Sequence, residues 1–461
     1  MSSDREWMSF INRAVTPYHC AEFLRRELVS AGFAEVSLAA PWELRPGAYT
    51  AKGPGGAHFA WVIGEDAKPG DGVAIELAHT DAPCLHIKPA GEAGSYYALA
   101  DTDVYGGPIL NTWLDRPLGV AGRVFVRKKA RVSTRVSGSA KTAAAKTAGD
   151  SGAVKSASAV AGSAMQVGGT AHTSEYLVSS DGPVMTIPNL AIHFNRDVNK
   201  GVELKKAVDL RPVAGFSMEK NWLAEYVASL AGVRAADVVE SELYLYVTQP
   251  AEIVGVRGDM VSSPRLDNQT SCYALLAAIK KAAKRGRGLS IAMWFDNEEV
   301  GSQTRQGADS ALAPMLLAKI YDGLGWPAAR INEAVFAGRC LSLDVAHALH
   351  PNHPEKYDEP NSARFGDGVT LKVSANQRYT YSAELIAEMR ERLAAAKIPY
   401  AVHTNQSDVV GGSTMGPLLS SQLPMATLDA GVPILAMHSA CELMAASDMK
   451  ALTGLAELFF E

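Results

Sequence analysis

Six side chains of metal-binding type are scattered through the 461 residues: His79, Asp267, the adjacent pair Glu298 and Glu299, Asp344 and His438. Two imidazoles and four carboxylates offer mixed nitrogen and oxygen donors. Five of them suffice for two ions that share one bridging carboxylate, with three protein ligands per metal and room for water. The sixth group is then free to act as a general base. Together they are the equipment of a co-catalytic metallohydrolase.

Each group also has a plain structural reading. His79 in His79-Thr80-Asp81 is a histidine at a strand end, and Asp81 could hold its second ring nitrogen. Asp267 precedes a helix and could be its cap. Glu298 and Glu299 could form a solvated acidic turn. Adjacent carboxylates after a buried strand repel unless neutralised, however, and neighbouring side chains point in different directions. One can bind metal while the other faces water. The conjunction favours chemistry over the separate plain readings.

The elements that must position these groups are legible as pattern. Residues 72–78 read as a buried strand ending at His79. A strand at 289–295 ends at Asp296, one at 340–343 at Asp344, and one at 433–437 at His438. A helix follows Asp267 through Leu275, Ala278 and Ile279. Thr16-Pro17 reads as an N-cap with proline at the first helical position, and that helix stops near Gly32. Alternating strands and helices predict a largely parallel sheet covered on both faces, an α/β fold, with ligands beyond the carboxyl ends of the strands. All six groups are expected on one side of that one sheet.

From about residue 93 to 250 the texture changes to short β-type runs, such as 120–126 and 190–194. This predicts an inserted, mainly β domain (93–250) between two parts of the catalytic domain (1–92 and 251–461). Within it, residues 131–180 are rich in Ala, Ser, Thr, Gly and Lys, and read as a long mobile loop. The glycine-rich turn Gly411-Gly412-Ser413-Thr414-Met415-Gly416-Pro417 opens a predicted helix, and its amides could hold a substrate carbonyl or carboxylate.

Composition sets the frame. A hydrophobic content of 47% fills a sizeable core, and the formal net charge of -5 with no basic stripe argues against nucleic acid as a partner. The five cysteines are dispersed, with no Cys-x-x-Cys spacing; Cys84 stands out only for lying near His79. The N-terminal residues lead into an amphipathic segment rather than an apolar signal region, and no stretch approaches a membrane span. A reduced cytoplasm and no membrane partner are the expectation. No Gly-x-x-x-x-Gly-Lys-Ser/Thr or Gly-x-Ser-x-Gly motif is present.

The chain resembles the aspartyl aminopeptidase family of dinuclear zinc metallopeptidases. The motifs that carry the resemblance are His79-Thr80-Asp81-Ala82-Pro83-Cys84-Leu85, Pro264-Arg265-Leu266-Asp267-Asn268 and Asp296-Asn297-Glu298-Glu299-Val300-Gly301-Ser302. Asp344-Val345-Ala346-His347-Ala348-Leu349-His350-Pro351-Asn352, Gln377-Arg378-Tyr379 and Ala436-Met437-His438-Ser439 extend it over most of the chain. The resemblance implies a three-layer α/β/α catalytic domain and two zinc ions per subunit, with cobalt or manganese suiting the same donors. Asp267 would bridge, His79 and Asp344 would complete one site, and Glu299 and His438 the other. Glu298 would be the base, and Asp81 would orient the centre. Lys372 would meet an acidic substrate side chain, and His350 would line the substrate site. In Ile187-Pro188-Asn189-Leu190-Ala191-Ile192-His193, His193 would reach a neighbouring subunit's site and steady the oxyanion. The inserted domain would dimerise and build a homo-oligomer, a tetrahedral dodecamer, that admits peptides.

The implied activity is removal of N-terminal Asp or Glu from peptides. A broad-specificity aminopeptidase, an N-acyl amino-acid deacylase and a catalytically silent scaffold are the competing readings.

Overall fold

Strand Leu289–Phe295 shows how the sequence builds the centre of the molecule. Its side chains alternate, so Leu289, Ile291, Met293 and Phe295 enter one apolar cluster while Ala292 and Trp294 enter another. Every residue in it is buried, as expected for a strand covered on both faces. Ala74–His79 repeats the pattern, with Ile75 and Leu77 on one side and Ala78 on the other.

The computed structural model describes residues 2–94, 96–128 and 162–461. Its described strands form three sheets. The large sheet runs, edge to edge, Ala34–Glu35, Gly47–Lys52, His58–Ile63, Leu289–Phe295, Ala74–His79, Arg339–Leu343, Ala426–Gly431, Val369–Lys372 and Tyr400–His403. Its middle, from Leu289–Phe295 to Ala426–Gly431, is parallel throughout. Helices Pro17–Ser30, Leu266–Arg285, Ala383–Ala395 and Asp448–Phe459 bury their apolar stripes on one face. Leu312–Gly323, Ile331–Phe336 and Met415–Gln422 cover the other. This is a three-layer α/β/α arrangement. Helix Pro17–Ser30 is capped as its sequence predicts, with Thr16 Oγ1 accepting the His19 N–H at 3.3 Å.

The second sheet is antiparallel and orders Val213–Phe216, Tyr97–Tyr105, Cys84–Ala93, Val238–Val247, Leu118–Arg127, Thr173–Ser180 and Gly162–Gly169. It therefore begins at Cys84, only five residues after His79. A third, small sheet joins Glu252–Val254, Met260–Ser263, Glu442–Ala445, Pro433–Leu435 and Ala346–His347.

Three expectations change. The strand before His438 belongs to the small sheet, so the six groups do not share one sheet; Pro433–Leu435 pairs with Ala346–His347 and Glu442–Ala445 instead. Residues 190–194 form no strand but an exposed turn, with Leu190, Ile192 and Phe194 61%, 47% and 81% exposed. The tract read as a loop over 131–180 contains the hairpin Gly162–Gly169 and Thr173–Ser180, whose inward Leu177 and Val178 pack into the second sheet's core. The remainder of that tract, to residue 161, lies outside the described residues.

Candidate metal centre

Register dictates the first half of the site. In the parallel sheet Phe295 lies opposite His79, which sets Glu298 and Glu299 just beyond the same edge. Arg339–Leu343 pairs on the other side of Ala74–His79 with Ser342 opposite Leu77, so Asp344 emerges beside His79. The second half comes from the small sheet. Met260–Ser263 leads into Asp267 at the start of helix Leu266–Arg285, and Pro433–Leu435 leads into His438.

These ends converge. His79 Nε2 lies 3.3 Å from Asp267 Oδ1 and 3.6 Å from Asp344 Oδ1. His438 Nε2 lies 3.4 Å from Asp267 Oδ2 and 3.4 Å from Glu299 Oε2. Asp267 thus turns one oxygen to each histidine. Three overlapping donor groups result, each with its ligand atoms within 4.8 Å of one another: His79, Asp267 and Asp344; Asp267, Glu299 and His438; and His79, Glu298 and Glu299.

The residues fit a pair of divalent cations. Asp267 Oδ1 and Glu299 Oε1 are buried without any hydrogen-bond partner, a costly condition that a metal removes. Both imidazoles have their Nδ1 engaged, His79 with the Asp81 carbonyl at 3.1 Å and His438 with the Gly107 carbonyl at 3.1 Å, which leaves each Nε2 turned into the cluster. The Asp81 carboxylate is slightly further from His79 Nδ1, at 3.4 Å, so the main-chain oxygen is the closer partner. Burial pushes Glu298 up to about 8, with Asp344, Asp81 and Asp267 adding repulsion that His79 only partly offsets. Burial and Asp267 hold Glu299 well above the usual carboxylate range. Burial opposes protonation of His438, yet Asp267 lifts it to about 9.

Asp81 is a hub rather than a donor to the cluster. Fully buried, it accepts the Glu298 N–H at 3.2 Å, the Glu299 N–H at 3.1 Å and the Tyr105 hydroxyl at 2.6 Å. Tyr105 ends a strand of the second sheet and also receives Asn297 Nδ2 at 2.9 Å.

A cavity of about 260 Å³ opens on the cluster, lined also by His347, Lys372, Tyr379, Gly412, Ser413 and Thr414. Lys372 is buried, with Nζ 3.7 Å from Asp344 Oδ2 and 5.0 Å above the Tyr379 ring. The glycine-rich turn supplies part of this wall, and its helix starts at Met415. His350 is not among the lining residues; its ring packs 5.0 Å from His353 and accepts the Asn352 N–H. His347, three residues earlier in the same motif, takes the position on the cavity. His193 lies in the exposed turn of the inserted region, away from this chain's cavity lining. Cys84 is buried, and burial with Asp81 pushes its thiol far up, so it is inert; all five cysteines are free. Sequence reasoning missed Tyr105 and Glu442, the latter a buried acid facing Asp267 and His438. Its signal is a lone acid within the otherwise apolar strand Glu442–Ala445.

Comparison with known proteins identifies the family. The family profile described as aminopeptidase I zinc metalloprotease (M18) matches residues 10–141 and 158–460. A probable M18 family aminopeptidase 2 of Clostridium novyi is 34% identical over 451 residues, covering 96% of this chain and 95% of that one. The aspartyl aminopeptidase of Caenorhabditis elegans is 31% identical over 487 residues, covering 99% of this chain and 94% of that one. Among solved structures, the mApe1 dodecamer of S. cerevisiae matches with a TM-score of 0.79 at 24% identity, over 99% of this chain and 95% of that chain. The chain belongs to the M18 family of zinc metalloproteases, the aminopeptidase I family.

Proposed function

We propose that this metal-dependent aminopeptidase removes N-terminal acidic residues from peptides, with Asp267 bridging two zinc ions. The observation that carries this reading is Asp267 itself, with one carboxylate oxygen turned to His79 and the other to His438 at nearly equal distances. His79 and Asp344 would hold one ion, Glu299 and His438 the other. Their mixed nitrogen and oxygen donors suit zinc, and cobalt or manganese equally. When bound, the ions supply Lewis acidity, which lowers the pKa of water and polarises a carbonyl.

The chain's own groups do the rest. Glu298 is not needed as a ligand; its carboxylate takes the proton of the attacking water and returns it to the leaving amine. Asp81 fixes both Glu298 and Glu299 through their main-chain N–H groups. The cavity wall binds the substrate's first side chain, with Lys372 as the cation that selects Asp or Glu. A buried lysine held at a carboxylate stays charged: burial opposes this, but Asp344 keeps its pKa above the usual range.

The same reading divides the chain into catalytic parts 1–92 and 251–461 and an inserted dimerisation domain 93–250. The exposed apolar turn at 190–194 is suited to a subunit contact, which would bring the partner subunit's His193 to the oxyanion. A homo-oligomer, a dodecamer built from dimers, is the proposed assembly; the solved mApe1 structure of S. cerevisiae is itself a dodecamer. Among the described residues no helix is long and apolar enough to cross a membrane. A cytoplasmic site of action fits that and the free cysteines.

The test is hydrolysis of free and N-acetylated dipeptides by zinc-loaded wild type and Glu298→Gln. Release from free Asp- and Glu-initiated dipeptides, reduced by about 10²–10⁴-fold in the variant with zinc still bound, is expected. Turnover retained in the variant sinks the base assignment. Cleavage of acetylated substrates alone points to a deacylase.

A further inference from the structure

Glu442 is a carboxylate that the chemistry above does not use, yet it touches two of the residues that the chemistry needs. It is 2% exposed. Its Oε2 accepts the main-chain N–H of Asp267 at 3.0 Å, and its Oε1 accepts the main-chain N–H of His438 at 2.8 Å. Each oxygen is thus engaged by a different neighbour.

The small sheet explains the position. Strand Glu442–Ala445 lies between Met260–Ser263, which leads to Asp267, and Pro433–Leu435, which leads to His438. Glu442 pairs with Ser263 at the end where both neighbouring chains depart for the metal cluster. Both departures are conformationally unfavourable. Arg265 has φ 61, Ala436 has φ 56 and His438 itself has φ 67, all left-handed and none a glycine. Such residues persist only where their surroundings hold them. A carboxyl acceptor on the N–H of His438 supplies a restraint at one of them.

We propose that Glu442 is a positioning residue, a two-handed carboxylate clamp that sets the separation of Asp267 from His438 and so the affinity of the metal pair. It binds no metal itself. It fixes the backbone of the bridging carboxylate and of one histidine, which come from different elements. The inference rests on the dinuclear reading of the site.

The experiment is zinc titration by calorimetry with chelator competition, beside thermal unfolding of the metal-free full chain. Glu442→Gln keeps the size of the side chain but turns an NH2 group towards one of the two N–H donors. It should bind at least one zinc ion about 10–100-fold more weakly. Metal-free Glu442→Gln should melt close to wild type, because the side chain keeps its size and stays buried. Glu442→Asp keeps both acceptors and the charge but is shorter by about 1.5 Å, and it should lose zinc affinity comparably. Wild-type affinity in Glu442→Gln overturns the clamp. So does full rescue by Glu442→Asp, which would leave charge alone as the requirement. If Glu442→Gln fails to fold, Glu442→Asp decides by the same criterion. Wild type and His438→Ala separate this proposal from the reading beneath it. Wild type that binds no zinc pair refutes the dinuclear site, whereas a pair reduced by His438→Ala but untouched in both Glu442 variants refutes the clamp only.

Discussion

Glu76 sits in the central strand Ala74–His79, opposite Ala292 on one side and Leu341 on the other, and is wholly buried. It shares the face of Ala78, packed against the layer that holds helix Leu266–Arg285. Neither carboxyl oxygen has a hydrogen-bond partner. Burial drives its pKa well above the ordinary 4.5, with Arg339 the opposing influence. That arginine is already committed to Glu388 at 3.0 Å and to the Phe459 carbonyl at 2.7 Å. Below 4.5 the group is protonated in both folded and unfolded chains and contributes nothing to pH dependence. As pH rises past that value the unfolded chain ionises and the folded one does not, so stability falls by about 1.4 kcal/mol per pH unit until the folded pKa is reached. Glu76→Gln removes the titration and preserves the volume. The variant should therefore gain on wild type progressively from pH 5 to pH 7, which melting or urea curves recorded side by side would register as a widening gap. A gap that stays constant with pH, or a variant that loses ground as pH rises, would refute the reasoning.

Further predictions concern the centre. Tyr105→Phe takes one donor from Asp81 and one acceptor from Asn297, and should lower kcat or zinc affinity by about 10–100-fold with little change in fold by circular dichroism. Lys372→Met should reduce kcat/KM for Asp- and Glu-initiated peptides by about 10–100-fold while sparing neutral ones, from the loss of about 1.5–3 kcal/mol of charge-assisted binding; equal losses on both would remove Lys372 from specificity. Chelation should lower the melting temperature and zinc restore it, since a ligand at 1,000 times its Kd adds about 4 kcal/mol to stability; a melting temperature indifferent to chelator would argue against metal in this cluster.

What the sequence shows and what it hides follow from distance along the chain. The strands at 289–295 and 340–343 are legible because a doubly covered strand is a short apolar run ending at a polar turn, and the charged groups begin where each run stops. The cap at Thr16 is equally local. Pairing is not. Nothing near residue 433 reveals that its strand joins Ala346–His347 and Glu442–Ala445 rather than the large sheet, because that choice is made by segments far away in sequence. The hairpin from 162 to 180 is hidden by its small and polar residues, since only Leu177, Val178 and a few neighbours face the core. The run at 190–194 has the composition of a strand yet meets no partner strand among the described residues. Six metal-type side chains can be chosen by residue type and position; Tyr105 cannot, and Glu442 shows only as a lone acid in an apolar strand. These two act through main-chain and hydroxyl contacts, which carry no spacing rule.

The position of the centre, at the junction of three sheets, has a consequence for how the chain must fold to work. The large sheet delivers His79, Glu298, Glu299 and Asp344; the small one delivers Asp267 and His438. Orientation is set from the second sheet. Tyr105 at the end of its strand holds Asp81, and two residues later the Gly107 carbonyl accepts from His438 Nδ1. The Ile109 N–H then bonds the His438 carbonyl at 2.9 Å, and Thr112 Oγ1 receives the Ala440 N–H at 2.9 Å. A single short segment, 105–112, therefore grips both halves of the cluster. Deleting the inserted region would leave all six metal-type residues present and the tautomer and direction of His438 unspecified. On the proposed function, the insertion would thus help to position the metal-type residues within one subunit, whatever it contributes between subunits.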